Sequence, residues 1–335
     1  MTNQTRITIH DIALSIGAPV DQITKVILGQ PGVSAEFRRK VYTALEEAGL
    51  VRVSQETTEG TIGVVITGTL SGEYNSDLVR GITETAKKRG YSLMLYSERS
   101  SREDDLIRMF GPGGCDGIIV IVPNQYQRLL ELCRQYGRDH VLIDYQGDDD
   151  MTDVLTVEVH NYQAILQVMS HLLELGHRRI AFITGLIRVA SAQQRLQGYL
   201  DALDTAGIAY DPALVAEGDW FHERAFELTQ QLLDLDDPPT AIVASNDLMA
   251  FGAMQAARHR GLEIGGDISI TGFDDIDMAS TVTPSLTTVR QPIARLGEVA
   301  VDMLVKRHQG QEIAQPHAQL DTELIIRQST GRAPR

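Results

Sequence analysis

Carboxylate, amide and guanidinium groups stand at the ends of apolar segments in the body of this 335-residue chain. Asp144 ends one apolar segment, Asn246 follows a second, and Asp274 follows a third. Arg195 begins a helical pattern after a fourth. Planar groups of these kinds form paired hydrogen bonds with neighbouring hydroxyl groups. The pattern therefore favours a site for a hydroxyl-rich small molecule.

Each of these residues also has a purely structural interpretation. Asp274 and Asp275 could cap a short helix, and Asn246 could cap the helix that follows it. Arg195 could lie on a helix surface. Trp220, the only tryptophan, could be a packing residue. The placement of the elements has to decide between these interpretations and binding.

The sequence lacks the short motifs of the common enzyme classes. There is no G-x-G-x-x-G after a strand, no phosphate-binding loop, no G-x-S-x-G and no H-E-x-x-H. The histidines have no metal-ligand spacing, and His177 is expected to be structural, bonded to backbone. Cys115 and Cys133 form no CxxC motif and are expected to pack in the core. We therefore expect no catalytic residue, no cofactor and no metal.

Strand-like and helix-like segments alternate from residue 62 onward, which is typical of parallel sheets covered by helices on both faces. Strands are expected at 62–67, 91–96, 117–122, 141–145, 154–159, 179–184, 214–217, 240–244 and 268–273. Helices are expected at 76–89, near 102–110, and at 125–136, 161–175, 190–206, 222–235, 247–260 and 292–307. The alternation restarts after residue 160, so we expect an α/β protein with two doubly wound parallel-sheet subdomains. Ligands of such folds bind beyond the carboxyl ends of the strands.

A helix-turn-helix pattern precedes this body. Apolar residues recur at helical spacing from Ile9 to Ile16, Gly17 interrupts the pattern, and Pro19 can open a second helix. Thr8 and Ser34 are placed to cap the first and third helices. Three short helices of this kind form a small all-α domain whose second helix can enter a DNA major groove.

The net charge is unevenly distributed along the chain. Residues 1–52 contain six basic and five acidic residues, so their net charge is +1, whereas the whole chain has −15. The body therefore has −16 and should be repelled by nucleic acid. DNA contact is expected only from the N-terminal domain, and dimerisation would have to supplement its affinity.

The N-terminal pattern resembles the start of the LacI family of bacterial repressors. Thr8, Asp11, Ile12, Ala13 and Gly17 match the family's first helix and turn. The body resembles the family's effector domain, which is similar to periplasmic sugar-binding proteins. The matching segments are LELGHRRIAFI (173–183), RLQGY (195–199), PTAIVASNDLMAFGA (239–253), DISITGFDDI (267–276) and PSLTTVRQP (284–292).

The resemblance implies two sets of functional residues. Effector binding is implied for Tyr74, Asn75, Asp144, Asn161, Arg195, Trp220, Asn246 and Asp274. DNA binding is implied for Thr8, Pro19, Asp21, Gln22, Thr24, Lys25, Ser34 and Arg38. The expected partners are double-stranded operator DNA, a small carbohydrate and a second copy of the chain.

Several positions depart from the family pattern. Pro19 replaces a helix-capping serine, Asp21 places a carboxylate where the family faces DNA, and Leu28 replaces an asparagine. Residues 50–61 read LVRVSQETTEGT, without the alanine and leucine pattern of the family's hinge helix. We therefore expect an extended polar linker there.

The expected domain organisation has three parts. They are a DNA-binding domain (1–50), a linker (51–61) and an effector domain (62–335), which divides into 62–160 with 291–318 and 161–290 with 319–330. No heptad segment follows, which favours a dimer over a tetramer. The helix after Ser76, with Leu78, Ile82 and Ala86, and the 109–110 region are candidate interface elements. With no signal region and no apolar run of about 18 residues, a cytoplasmic protein without a membrane span is expected.

The sequence leaves three hypotheses of function open. The leading hypothesis is a sugar-responsive transcription regulator, most simply a repressor. The alternative is a sugar-binding protein whose helix-turn-helix no longer reads DNA and serves as an interaction module. An enzyme is the third.

Overall fold

The computed structural model describes residues 9–27, 33–34, 37, 40–41, 43–44, 59–66, 73–97, 109–110, 114–121, 127–145 and 154–334. The predictions for Thr8, Leu28, Arg38 and residues 51–58 lie outside this part of the chain. Among the described residues, no helix is long and apolar enough to cross a membrane.

The N-terminal domain contains the expected pair of helices, α1 (Ile9–Ile16) and α2 (Val20–Ile27). Gly17 connects them with a φ of 65°, a conformation that glycine adopts without strain. A further helical segment includes Phe37 and Val41, and the Ser34 hydroxyl accepts a hydrogen bond from the Phe37 N–H at 3.2 Å. Ser34 is therefore an N-cap, as predicted. The small core of this domain consists of Ile12, Ala13, Ile23, Val26, Val41 and Ala44.

Two six-stranded sheets form the body, which confirms the expected fold class. The first contains β1 (Gly60–Ile66), β2 (Tyr91–Ser97), β3 (Gly117–Ile121), β4 (Asp139–Ile143), β5 (Leu155–Val159) and β11 (His317–Leu320), in the order β2-β1-β3-β4-β5-β11. The second contains β6 (Ile180–Thr184), β7 (Val215–Glu217), β8 (Ala241–Ala244), β9 (Ser269–Asp274), β10 (Thr287–Arg290) and β12 (Glu323–Ile325), in the order β7-β6-β8-β9-β10-β12. All pairs are parallel except β10 with β12. Strands β3, β5, β6, β8 and β9 are buried throughout, because helices cover both faces of the sheets.

The helices of the body connect these strands. They are α3 (Glu73–Lys88), α4 (Gln127–Tyr136), α5 (Asn161–Glu174), α6 (Ala190–Thr205), α7 (His222–Leu233), α8 (Asp247–His259), α9 (Asp277–Thr281) and α10 (Ile293–His308), with a single 3-10 turn at Pro212–Leu214. Most bounds lie within two residues of the expectation. Helix α3 begins three residues earlier than expected, at the first residue described after a gap.

The chain passes between the two sheets three times. It does so after β5, after β10 and after β11, so the crossing points lie at residues 160, 291–292 and 321–322. Residues 317–325 are thus divided between two strands in different sheets. The first and third crossings lie beside each other, since the His160 N–H donates to the Leu320 carbonyl at 3.1 Å. At the second, the Gln291 N–H donates to the carbonyl of Asp274, the last residue of β9, at 3.3 Å.

Helices α3 and α10 are in backbone contact, which corrects the expectation for Leu78, Ile82 and Ala86. A Cβ atom on Gly81 would lie 2.0 Å from the Ala294 carbonyl oxygen. The three apolar side chains of α3 are consequently buried within a single chain, and Met109 and Phe110 are buried there too. None of these five side chains is available to a second copy, because each is buried by its own chain.

Three residues expected to be structural are indeed buried. Cys115 and Cys133 are free thiols, and burial raises their pKa to about 11 and about 12. The His177 ring bonds Thr240 Oγ1 and Ser269 Oγ, both at 2.9 Å, as well as the Gly331 carbonyl at 3.0 Å. Its partners are therefore mostly hydroxyl groups, where backbone groups were expected.

Candidate functional site: a polar cleft between the two sheets

Arg195 is a buried cation at the centre of the site. It lies in α6 with only 4% of its surface exposed. Its Nε donates to Asn161 Oδ1 at 2.8 Å, and its Nη1 donates to the Ser245 carbonyl. Its guanidinium carbon lies 3.5 Å from the centre of the Phe273 ring. A surface position for Arg195 is thereby excluded.

Carboxyl groups lie near this guanidinium. Burial lowers the pKa of Arg195, and the charges of Asp274, Asp144 and Asp247 oppose that shift. A buried guanidinium needs such compensation, because leaving an isolated charge out of water costs several kcal/mol. The carboxyl groups of Asp144 and Asp274 therefore lie near enough to Arg195 for their charges to act on it.

Asp274 contributes a carboxylate from the end of β9. It is 8% exposed, and its Oδ1 accepts a hydrogen bond from Gln291 Nε2 at 2.6 Å. Burial raises its pKa to about 7, although the charge of Arg195 acts in the opposite direction. Its φ is 124°, which is unusual for a residue with a side chain. The helix-capping interpretation does not hold, since Ile276 occupies the N-cap position of α9.

Asp144 and Tyr74 contribute from the side of the first sheet. Asp144 follows β4 with a φ of 57°. The Tyr74 hydroxyl, from the first turn of α3, donates to Asp144 Oδ2. Asp144 Oδ1 is buried and has no partner among the described residues. Burial raises the pKa of both groups.

Two amides hold other parts of the cleft in place. Asn161 accepts from Arg195 and donates to the Val159 carbonyl at 3.3 Å. Asn246 Oδ1 accepts from the Met249 N–H at 2.9 Å, which makes Asn246 the N-cap of α8, while its Nδ2 donates to the Trp220 carbonyl at 3.1 Å. Both halves of each amide thus have protein partners.

Trp220 lies in the cleft with a φ of 76°. Its ring centre is 5.8 Å from the Arg195 guanidinium carbon. The ring packs so closely on Gly185 that a Cβ atom there would lie 2.0 Å from ring carbons. The ring is half-buried, so one tryptophan lies against the central charge.

Known proteins are similar to nearly the whole chain in sequence and in fold. The HTH-type transcriptional repressor CytR of Escherichia coli (strain K12) is 31% identical over 339 residues, which cover 99% of this chain and 98% of CytR. The complex of the transcriptional regulator CelR with cellobiose has a TM-score of 0.75 and 27% identity, covering 97% of this chain and 100% of that chain. The Lac repressor dimer bound to operator and the anti-inducer ONPF has a TM-score of 0.75 and 30% identity, covering 97% and 99%. A model of the periplasmic binding protein-like domain matches residues 169–330.

The chain belongs to the LacI family of transcriptional regulators. Its relatives are regulators of transcription and not enzymes. Among the described residues, no group of three or more His, Cys, Asp or Glu side chains could hold a metal ion.

Of the eight residues implied for effector binding, Arg195 contacts Asn161 and Trp220, and the Trp220 carbonyl accepts a hydrogen bond from Asn246. Tyr74 and Asp144 form a separate pair, and the charges of Asp144 and Asp274 act on Arg195. Asn75 is half-buried in the first turn of α3 beside Tyr74.

The sequence places Ser245 and Asp247 with Asn246 at the end of a predicted strand, among the polar residues suited to a cleft, but it implies no specific role for either. It does not single out Phe273 or Gln291. The position of Phe273 directly before Asp274 was a signal for that residue.

The DNA-binding set is only partly described. Pro19 and Asp21 are exposed at the start of α2. Gln22 and Lys25 are half-buried, and the Thr24 hydroxyl donates to the Val20 carbonyl of its own helix at 2.9 Å. The Ser34 hydroxyl is used as a cap. Two of the eight positions, Thr8 and Arg38, lie outside the described residues.

Proposed function

We propose that this LacI-family chain is a DNA-binding repressor whose affinity for its operator is controlled by a small, neutral, hydroxyl-rich effector. The effector would bind in the cleft around Arg195. The observation that carries the proposal is one buried guanidinium, Arg195, on which the charges of two carboxyl groups act, Asp274 at the end of β9 in the second sheet and Asp144 after β4 in the first.

Unfilled hydrogen-bonding positions support a hydroxyl ligand. Asp144 Oδ1 has no partner among the described residues. Protein bonds from described groups reach Asp274 only at Oδ1 and Arg195 only at Nε and Nη1. Two acceptors and one donor therefore remain. Hydroxyl groups both donate and accept, so a polyol satisfies both kinds of group.

The charge balance of the cleft favours a neutral molecule. Two carboxylates face one guanidinium, and Glu158 also raises the pKa of Asp144 through its charge. A phosphorylated or carboxylated sugar would place a further negative charge beside them, at a cost that increases in a buried site. The Trp220 ring offers an apolar surface for the C–H face of a sugar. The CelR complex with cellobiose is a family precedent for such a ligand.

Control of DNA binding would follow from the three crossing points. Ligand that contacts both sheets favours one angle between them. In a homodimer, that angle sets the distance between two N-terminal domains, which must reach half-sites about one helical turn apart. The Lac repressor structure is a dimer on its operator, and we propose a cytoplasmic dimer here.

The test uses Trp220 as the only tryptophan of the chain. Its fluorescence is followed while the full-length protein is titrated with neutral sugars, their phosphates and their uronic acids. We expect one neutral sugar to change the emission and to raise the melting temperature by a few degrees at 100 times its Kd. Preferential binding of the anionic members would contradict the proposed ligand class.

An alternative is supported by the N-terminal domain. Asp21 is exposed in the first turn of α2, the helix that would face DNA, and Pro19 is exposed directly before it. If this domain no longer reads DNA, it would act as an interaction module. DNA affinity measured between 50 and 200 mM salt distinguishes the two, because each phosphate contact contributes about −0.9 to the slope of log K against log salt. A slope near zero would favour the alternative.

A further inference from the structure

Asp247 is a fully buried carboxyl group directly behind the cleft. It is the first residue of α8, next to Asn246, and 0% of its surface is exposed. Its Oδ2 accepts a hydrogen bond from the Ile276 N–H at 2.9 Å, and its Oδ1 accepts one from the Thr288 hydroxyl. The side chain thus connects α8 with the turn after β9 and with β10.

The turn that Asp247 reaches has a strained backbone. Asp274 and Asp275 have φ angles of 124° and 59°. Such angles cost a non-glycine residue on the order of 1–3 kcal/mol, and they persist only where the surroundings enforce them. Bonds to side chains hold both residues, from Gln291 to Asp274 and from Arg290 to Asp275 at 2.7 Å. The Asp247 carboxylate holds the backbone of the next residue, Ile276.

The absence of a side chain at Gly272 in β9 leaves room for the Asp247 carboxylate. A Cβ atom on Gly272 would lie 2.2 Å from Asp247 Oδ1. Burial and the charge of Asp274 both raise the pKa of Asp247. A carboxyl group in such a place is unfavourable by itself. The hydrogen bonds from Ile276 and Thr288 compensate for this cost of burial. They also connect Asp247 to the turn that contains Asp274.

We propose that Asp247 is a positioning residue of the effector site. It touches no ligand, and it fixes the 274–276 turn so that the Asp274 carboxylate points into the cleft. The expected effect of Asp247 on effector binding rests on the proposed function. The local effect on the turn does not depend on that function.

Hydrogen exchange measured by mass spectrometry on the full chain tests the local effect without any ligand. In Asp247→Ala, we expect exchange at Ile276 to increase about tenfold or more, because the amide loses its buried acceptor. In Asp247→Asn, the amide oxygen can accept from Ile276 while its NH2 group donates to Thr288, so most protection should remain. Asp267→Ala is the matched control, since Asp267 accepts from the Glu263 N–H at 2.8 Å in an exposed loop.

A second measurement separates positioning from general support of the fold. Trp220 fluorescence is titrated from pH 5 to pH 9 in the wild type, Asp274→Asn, Asp247→Ala and Asp247→Asn. We expect Asp247→Ala to shift the Asp274-dependent midpoint, because a loosened turn changes the burial of Asp274. If the sugar titration identifies a neutral sugar that binds the wild type, Asp247→Ala should bind that sugar at least tenfold more weakly.

The outcomes that overturn the proposal are independent of the effector. A folded Asp247→Ala variant with unchanged exchange at Ile276 overturns it. An increase that is equal throughout α8, β8 and β9 also overturns it, since that is general destabilisation. If Asp247→Ala does not fold, Gly272→Ala displaces the carboxylate instead, because its Cβ atom would lie 2.2 Å from Asp247 Oδ1, and unchanged exchange at Ile276 in that variant overturns the proposal. Absence of sugar binding with a local increase at Ile276 would contradict the proposed function alone.

Discussion

At the scale of single residues, the protonation of Asp274 links stability to pH. Its pKa is raised to about 7 in the folded protein, whereas the unfolded value is close to 3.9. The folded state therefore binds this proton more tightly than the unfolded state does. Stability from this group is full at low pH and is lost as pH rises from about 4 to about 7.

The substitution Asp274→Asn should remove that pH dependence. The loss in the wild type has an upper limit of about 4 kcal/mol, because one pKa unit corresponds to about 1.4 kcal/mol. We expect the variant to be more stable than the wild type at pH 8. At pH 5, we expect the variant to be less stable than the wild type or equally stable. Denaturant unfolding at both pH values measures this difference. Parallel stability curves for the two proteins would show that Asp274 does not titrate in this range.

The bond from Tyr74 to Asp144 makes a second prediction at this scale. Tyr74→Phe removes the hydroxyl that donates to Asp144, so a buried carboxyl group loses a hydrogen-bond donor. We expect a loss of about 1–3 kcal/mol in the free energy of unfolding. Tyr162→Phe is the matched control, because Tyr162 donates to Asp201 at 2.8 Å at a place where burial is slight. Equal effects of the two changes would argue against a buried pair in the cleft.

At the scale of elements, two glycines allow α3 and α10 to pack closely. A Cβ atom on Gly81 would lie 2.0 Å from the Ala294 carbonyl oxygen, and one on Gly297 would lie 2.6 Å from the Leu78 carbonyl oxygen. Distances this short require the helices to move apart. The apolar face of α3 would then be less well buried.

We therefore expect Gly81→Ala to destabilise the protein by about 1–3 kcal/mol, despite the higher helix propensity of alanine. Thermal unfolding should show a melting temperature several degrees lower. Gly266→Ala is the control, since a Cβ atom there meets only the Glu263 side chain, at 3.3 Å. A neutral or stabilising Gly81→Ala would contradict the close approach of the helices.

At the scale of the whole molecule, a hydrogen bond joins the two halves at the edge of the cleft. The Asp277 N–H at the start of α9 donates to Glu73 Oε2 at the start of α3, at 3.1 Å. The two residues are 204 positions apart in the chain. A contact of this kind favours the arrangement in which the halves approach each other.

Glu73→Ala should shift the protein toward a more open cleft. An exposed hydrogen bond to a charged group contributes about 1 kcal/mol, which corresponds to about a fivefold change in the equilibrium. Quenching of Trp220 fluorescence by acrylamide should increase accordingly. Glu227→Ala removes an exposed carboxylate that pairs with Arg224 within α7 and serves as the control. Equal quenching in both variants would show that the Glu73 contact does not affect closure.

Much of this architecture was predictable from local patterns in the sequence. Alternating apolar segments and helical periods predicted the paired sheets, because both signals arise within ten or so neighbouring residues. The polar residues at strand ends predicted the place of the site, since parallel strands bring their carboxyl ends to one edge. Arg195 and Asp274 were identified in this way.

The partners of those residues depended on tertiary packing. Asn161 and Asn246 look alike in the sequence, yet one holds the Arg195 guanidinium and the other caps α8 and holds Trp220. The apolar face of α3 was expected at an interface and is covered by α10 of the same chain. Local sequence determines that a group must be satisfied or a face covered, and only the packing of distant elements determines by what.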